Sequence, residues 1–125
     1  ESTDFKCDGG KNIGKLTKEE LLELYNNSDF GMVGSLTNIS LVPYEMLATG
    51  LPIFEFKEGT FNYFFPKGSA LVTSFDYNEF YEMFKNAINN PNLLKEINKV
   101  SKEYLNTLSW QNTGKECVEI LKNLK

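Results

Sequence analysis

Residues 35–56 read "SLTNISLVPYEMLATGLPIFEF", and the fold turns on how that stretch divides. Its first part, to Ser40, is polar. Ser40 is a residue type that caps helix N-termini, and Pro43 falls in the first turn, where a missing N–H costs little. The spacing predicts a helix over Leu41–Thr49 stopped by Gly50. "LPIFEF" then reads as a buried strand. Just upstream, "DFGMVG" supplies another short strand, Phe30 to Val33, closed by Gly34. Strand, loop, helix and strand in that order make a β-α-β unit. One residue fits poorly. Glu45 is a lone acid among Tyr44, Met46, Leu47 and Ala48, expensive if buried and without purpose if the segment is only core.

The flanks repeat the theme. Thr17 with Glu20 forms a capping box opening a helix over about Lys18–Asn27, with Leu21, Leu22, Leu24 and Tyr25 apolar. "SALVTS" reads as a third strand. Asp76 with Glu79 forms a second capping box before a helix that stacks Phe80, Phe84, Ala87 and Ile88. Asn90 caps and Pro91 starts a helix carrying Leu94, Ile97, Val100, Tyr104 and Leu108 at 3.6-residue spacing. Ser109 caps a last helix whose buried stripe is expected to be Trp110, Cys117, Val118, Leu121 and Leu124. Short strands alternating with amphipathic helices predict an α/β fold: a Rossmann-like, three-layer helix–sheet–helix with a mainly parallel sheet. Residues 1–125 are expected to form a single domain. "ESTDFKCDGG" offers at most one short strand and no helix, so the chain is expected to be part of a larger doubly wound sheet.

Composition narrows the functions. The chain has 125 residues, a formal net charge of -4, no histidine and 41% hydrophobic residues. With no broad basic face, neither nucleic acid nor anionic lipid is an expected partner. No apolar run approaches the ~18 residues of a membrane span. Without histidine, Ser-His and Cys-His catalysis and His-bearing zinc sites are excluded within the chain. Every basic residue is lysine, so bidentate guanidinium recognition is absent too. Cys7 and Cys117 stand far apart with no CxxC, which predicts reduced thiols and a cytoplasmic location. "GGKNIGKL", Gly9 to Leu16, nearly spells the phosphate-binding loop G-x-x-x-x-G-K-[ST]. Its last position is Leu16, which lacks the hydroxyl that ligates magnesium. A turn at Asp8-Gly9-Gly10 and a short strand ending near Gly14 are expected instead.

The site argument returns to the opening stretch. In doubly wound sheets ligands bind beyond the carboxyl ends of strands, where loops lead into helix N-termini. The loop Gly34–Ile39 occupies that position. The helix start after it offers unpaired N–H groups, those of Leu41 and Val42, and the positive end of the macrodipole. Glu45, about one turn further in, has two readings. It is a solvent-facing acid favoured by the dipole, or a carboxylate accepting both hydroxyls of a ribose whose phosphate sits on the helix end. Glu55 and Glu58 are expected to be solvated, and Phe61, Tyr63, Phe64 and Phe65 to pack beneath a loop.

"SLVPYEMLATGLPI" resembles the signature of GT-B glycosyltransferases of the family 4 type, a glutamate followed by apolar-Met-Ala-Ser/Thr-Gly-Leu-Pro. "GKLTKEELLELYNNSDFGM" and "LSW" are similar to flanking segments of that family, so the resemblance covers about Gly14 to the end. It implies the partial C-terminal, donor-binding half of a retaining, metal-independent sugar transferase of bacterial polysaccharide or glycoconjugate synthesis. No cofactor is expected; the donor is a nucleotide-diphosphate sugar. By position, Glu45 resembles the acid that binds the ribose. Ser40, Leu41 and Val42 match the helix start that meets the pyrophosphate, and Lys15 and Leu16 lie where the base is held. Thr37, with Asn38 beside it on the loop, stands where the family carries a first glutamate near the transferred sugar. The acceptor, a glycan or glycoconjugate, would be held by the other half of the enzyme, working in the cytoplasm or at the inner face of the membrane. The chain alone is expected to be inactive. The rival expectation is a non-enzymatic, receiver-like α/β module.

Overall fold

A computed structural model describes residues 8–123. Cys7, any strand ahead of Asp8, and Leu124 lie outside them. In chain order the elements are α1 (Lys18–Asn26), β1 (Gly31–Met32), α2 (Val42–Ala48), β2 (Ile53–Phe56), α3 (Phe61–Phe64), β3 (Leu71–Thr73), α4 (Tyr77–Ile88), α5 (Pro91–Leu105) and α6 (Trp110–Asn123). Local chemistry accounts for several of their ends. The Thr17 hydroxyl accepts from the Glu20 N–H at 3.2 Å, and the Glu20 carboxylate accepts from the Thr17 N–H at 2.8 Å. That reciprocal pair starts α1. At the end of α2, Gly50 takes φ 82°. Its N–H donates to the Leu47 carbonyl at 3.0 Å and the Leu51 N–H to the Met46 carbonyl at 3.2 Å. This is a Schellman stop, which turns the chain straight into β2. Asn90 caps α5 through its side chain, accepting from Leu93 N–H at 3.1 Å, and Pro91 takes the first helical position.

Among the described residues the sheet has three strands in the order β1-β2-β3, all parallel, with Gly31 opposite Ile53 and Phe54 opposite Leu71. Helices lie on both faces, so the fold is α/β, compatible with a Rossmann-like arrangement. On one face Ile53 and Ala70 pack with Leu47 of α2 and with Phe61 and Phe65. On the other, Phe54 and Leu71 pack with Ala87 of α4 and Ile97 of α5. The Phe54 ring meets those of Phe30, Phe80 and Phe84 at centroid distances of 5.6, 5.1 and 5.9 Å. α5 joins the two layers: Leu93 and Leu94 pack on the Phe54 cluster, whereas Tyr104 and Leu105 pack on the Ile53 cluster. Ser101, buried midway, donates its hydroxyl to the Ser69 carbonyl at 2.7 Å. No helix among the described residues is long and apolar enough to cross a membrane.

Several expectations need correction. Residues 10–17 form no strand. Asp76 caps α4, accepting from Glu79 N–H at 2.9 Å, but Glu79 does not reciprocate. Its carboxylate turns to Ser74 and Lys57 instead. The aromatic run at Phe61 is a helical turn, with Phe61 and Phe65 buried and Tyr63 exposed. Leu108 falls beyond the end of α5 and is half exposed. The predicted stripe of α6 is not buried: Trp110 is 92% exposed, and Cys117, Val118 and Leu121 are exposed too. A helix-period pattern reports that a face is apolar, and it does not say that the described residues cover it.

Candidate active site

The loop after β1 is held at both ends. At Ser35 every polar group finds a partner. Its N–H and hydroxyl donate to the two oxygens of Glu55 at 3.1 and 2.6 Å. Its carbonyl accepts from the Thr60 N–H at 2.6 Å and the Thr60 hydroxyl at 2.9 Å. The approach is so close that a Cβ on Gly59 would overlap the Ser35 carbonyl oxygen. Only glycine lets the β2–α3 loop close there. At the other end Ile39 packs against the Leu47–Ile53 cluster. Leu36, Thr37 and Asn38 stand exposed between these anchors, with the Thr37 hydroxyl 3.3 Å from the Asn38 side-chain oxygen. Glu55 thus overturns an expectation. It is 0% exposed, not a solvated loop acid, whereas Glu58 is exposed as expected.

α2 starts one residue later than the sequence suggests. Leu41 is its N-cap in helical geometry, without a side-chain cap of its own. Ser40 still serves the turn, its hydroxyl oxygen accepting from Val42 N–H at 3.3 Å. Pro43 has no N–H, so the main-chain donors without a partner among the described residues are those of Leu41 and Tyr44. Ser40 and Leu41 are exposed and Val42 is half-buried.

Glu45 is exposed on the outer side of α2. It stands on the ridge between two grooves. One, of about 570 Å³, runs between α2 and the α5–α6 corner and is lined by Leu41, Tyr44, Glu45, Leu108 and Trp110 among others. The other, of about 440 Å³, runs between α2 and α1 and includes Lys18, Leu22, Tyr25 and Glu45. Both volumes fall within the range of small-molecule sites. Burial first, and the Glu45 charge second, push the Tyr25 phenol above its ordinary pKa. Lys15, exposed, and Leu16, half-buried, line neither groove. Lys18 lines the same groove as Glu45, whereas in the sequence it looks only like the first residue of a capped helix. No group of three or more His, Cys, Asp or Glu among the described residues is arranged to hold a metal ion.

A second polar cluster lies at the carboxyl ends of β2 and β3. Lys57 pairs with Glu79 at 2.9 Å. Glu79 also accepts from the Ser74 hydroxyl at 2.7 Å and the Ser74 N–H at 3.2 Å. Hydrogen bonds from Ser74 and then Lys57 hold the Glu79 carboxyl below its ordinary range, and the bond to Glu79 raises the Lys57 ammonium.

No family model, curated protein or solved structure matches the chain.

Proposed function

We propose that the chain is the nucleotide-sugar-binding domain of a GT-B, family 4 type glycosyltransferase that transfers a sugar, with retention, to a glycan or glycoconjugate. The observation that carries this reading is the placement of Glu45. It is exposed, in the first turn of a helix that follows the carboxyl end of a parallel strand, and on the wall of two ligand-sized grooves. A carboxylate in that position accepts both hydroxyls of a ribose. The Leu41 and Tyr44 N–H groups at the start of the helix then face the diphosphate, and Thr37 and Asn38 lie on the loop toward the sugar. Lys18, in the α1 groove with Glu45, supplies a nearby cation in a chain that has no arginine. The departing diphosphate would need further cationic stabilisation from elsewhere in the enzyme. A receiver-like module is supported less well. It places a phosphorylatable acid at a strand's carboxyl end, and Asp29 lies before β1.

Calorimetric titration of UDP, GDP, ADP and inorganic pyrophosphate into the wild-type chain and Glu45→Gln tests the reading. Losing a charge-assisted hydrogen bond costs about 1.5–3 kcal/mol, so affinity for the preferred nucleoside diphosphate should fall roughly tenfold to a hundredfold. Pyrophosphate, which lacks the diol, should bind both proteins alike. Parallel losses for both ligands, or no loss for either, would make Glu45 an ordinary helix acid and remove the basis of the proposal.

A further inference from the structure

We propose that Glu55 is a positioning residue of this site: by gripping Ser35 from inside the fold it sets the conformation of Leu36–Asn38. Its link to donor binding rests on the nucleotide-sugar reading. The argument begins with cost. A carboxyl group on the inner face of the central strand β2, next to Ile53 and wholly excluded from solvent, opposes folding unless hydrogen bonds compensate. An apolar residue there would serve packing better, since Ile53 and Val72 belong to the apolar cluster on that face. Among the described residues, the hydrogen bonds of the Glu55 carboxylate all go to Ser35, the residue from which the exposed loop departs. Thr60 closes the same residue from the other side through its N–H and hydroxyl. With Ile39 half-buried against the core, the run between has both ends fixed although its own side chains are exposed. Pre-set ends reduce the ordering entropy a ligand must overcome, and that entropy is where a positioning residue acts on affinity.

The test measures loop order and binding separately in wild type, Glu55→Ala, Glu55→Gln, Ser35→Ala and the Glu55→Ala/Ser35→Ala double variant. NMR order parameters for the Leu36, Thr37 and Asn38 amides should sit near ~0.85 in wild type and fall toward ~0.6 in Glu55→Ala and Ser35→Ala. Affinity for the nucleoside diphosphate that wild type prefers among UDP, GDP and ADP should drop about tenfold in both, measured where each remains folded. Glu55→Gln, which keeps an acceptor oxygen, should restore part of the loss. The double variant should be no worse than Glu55→Ala, because Ser35→Ala removes only the hydroxyl bond and Glu55→Ala already removes that bond together with the one from the Ser35 N–H. Unchanged order parameters in Ser35→Ala would overturn the proposal, and this variant decides the matter even where Glu55→Ala fails to fold. A loosened loop with undiminished affinity would also overturn the positioning role. A loosened loop in a protein whose wild type binds none of these nucleotides would sustain the clamp and reject the nucleotide reading alone.

Discussion

Two glycine-to-alanine substitutions should move stability in opposite directions. Gly59 lies where the β2–α3 loop crosses Ser35, and an alanine Cβ would overlap the Ser35 carbonyl, a backbone atom that cannot swing aside. Relief means opening the loop and losing the Thr60 N–H and hydroxyl bonds to that carbonyl, now 2.6 and 2.9 Å. At about 1 kcal/mol each, that is a loss of about 2 kcal/mol. Against it stands about 0.4–1 kcal/mol gained because alanine has fewer unfolded conformations. The net expectation for Gly59→Ala is about 1–2 kcal/mol of destabilisation. For a chain between the small and large size classes, that lowers the melting temperature by roughly 3–10 °C. Gly114, inside α6, has open space where a Cβ would go. There alanine should add about 0.5–1 kcal/mol of helix stability. Urea denaturation followed by far-ultraviolet circular dichroism compares the pair. Gly59→Ala at or above wild-type stability would refute the close-approach argument, whatever Gly114→Ala does.

Other expectations follow from the packing and the charges. Phe61 is 1% exposed and its ring stacks on that of Phe65 at 4.4 Å, so Phe61→Ala should cost about 3–5 kcal/mol, read from the urea midpoint. Glu79 has a folded pKa below its ordinary value of 4.5 because Ser74 and Lys57 bond its ionised form. Its stabilisation is therefore complete above that value and lost as pH falls through the lower, folded one. Glu79→Gln should accordingly show a shallower fall in urea midpoint than wild type as pH is lowered through and below that ordinary value. An identical slope would show that the Ser74–Lys57 cluster does not couple to folding.

Much of the fold was legible because its signals are local. The Thr17–Glu20 box, the Asn90-Pro91 start and the Gly50 stop each act within a few residues, and all place element ends in the structure. Where the signal was local but ambiguous, it misled. Asp76-x-x-Glu79 has the spacing of a capping box, yet Ser74 and Lys57 compete for the Glu79 carboxylate and win it. The α6 stripe is apolar, as its spacing says, but its described members are exposed. Amphipathic spacing describes one helix, and burial needs a second surface that periodicity does not locate.

The two acids of the opening stretch show where such reading ends. Glu45 and Glu55 both sit among apolar residues, and a window of sequence gives no reason to treat them differently. One lies on a helix, where about 100° of rotation per residue can carry an acid out of an apolar neighbourhood into solvent. The other lies on a strand covered on both faces, where alternation offers it no exit. Its tolerance depends on Ser35, twenty positions upstream, a separation across which no capping or periodicity rule operates. The acid that looked functional is the one water can reach, and the acid that looked idle is built into the support of the loop beside it. If the site is the one proposed, Glu45 contributes by contact and Glu55 by holding the loop. Replacing each with glutamine should then separate them: Glu45→Gln should weaken nucleotide binding with the loop still ordered, whereas any loss in Glu55→Gln should come with a looser Leu36–Asn38. Loss of affinity in Glu55→Gln with that loop as ordered as in wild type would break the division.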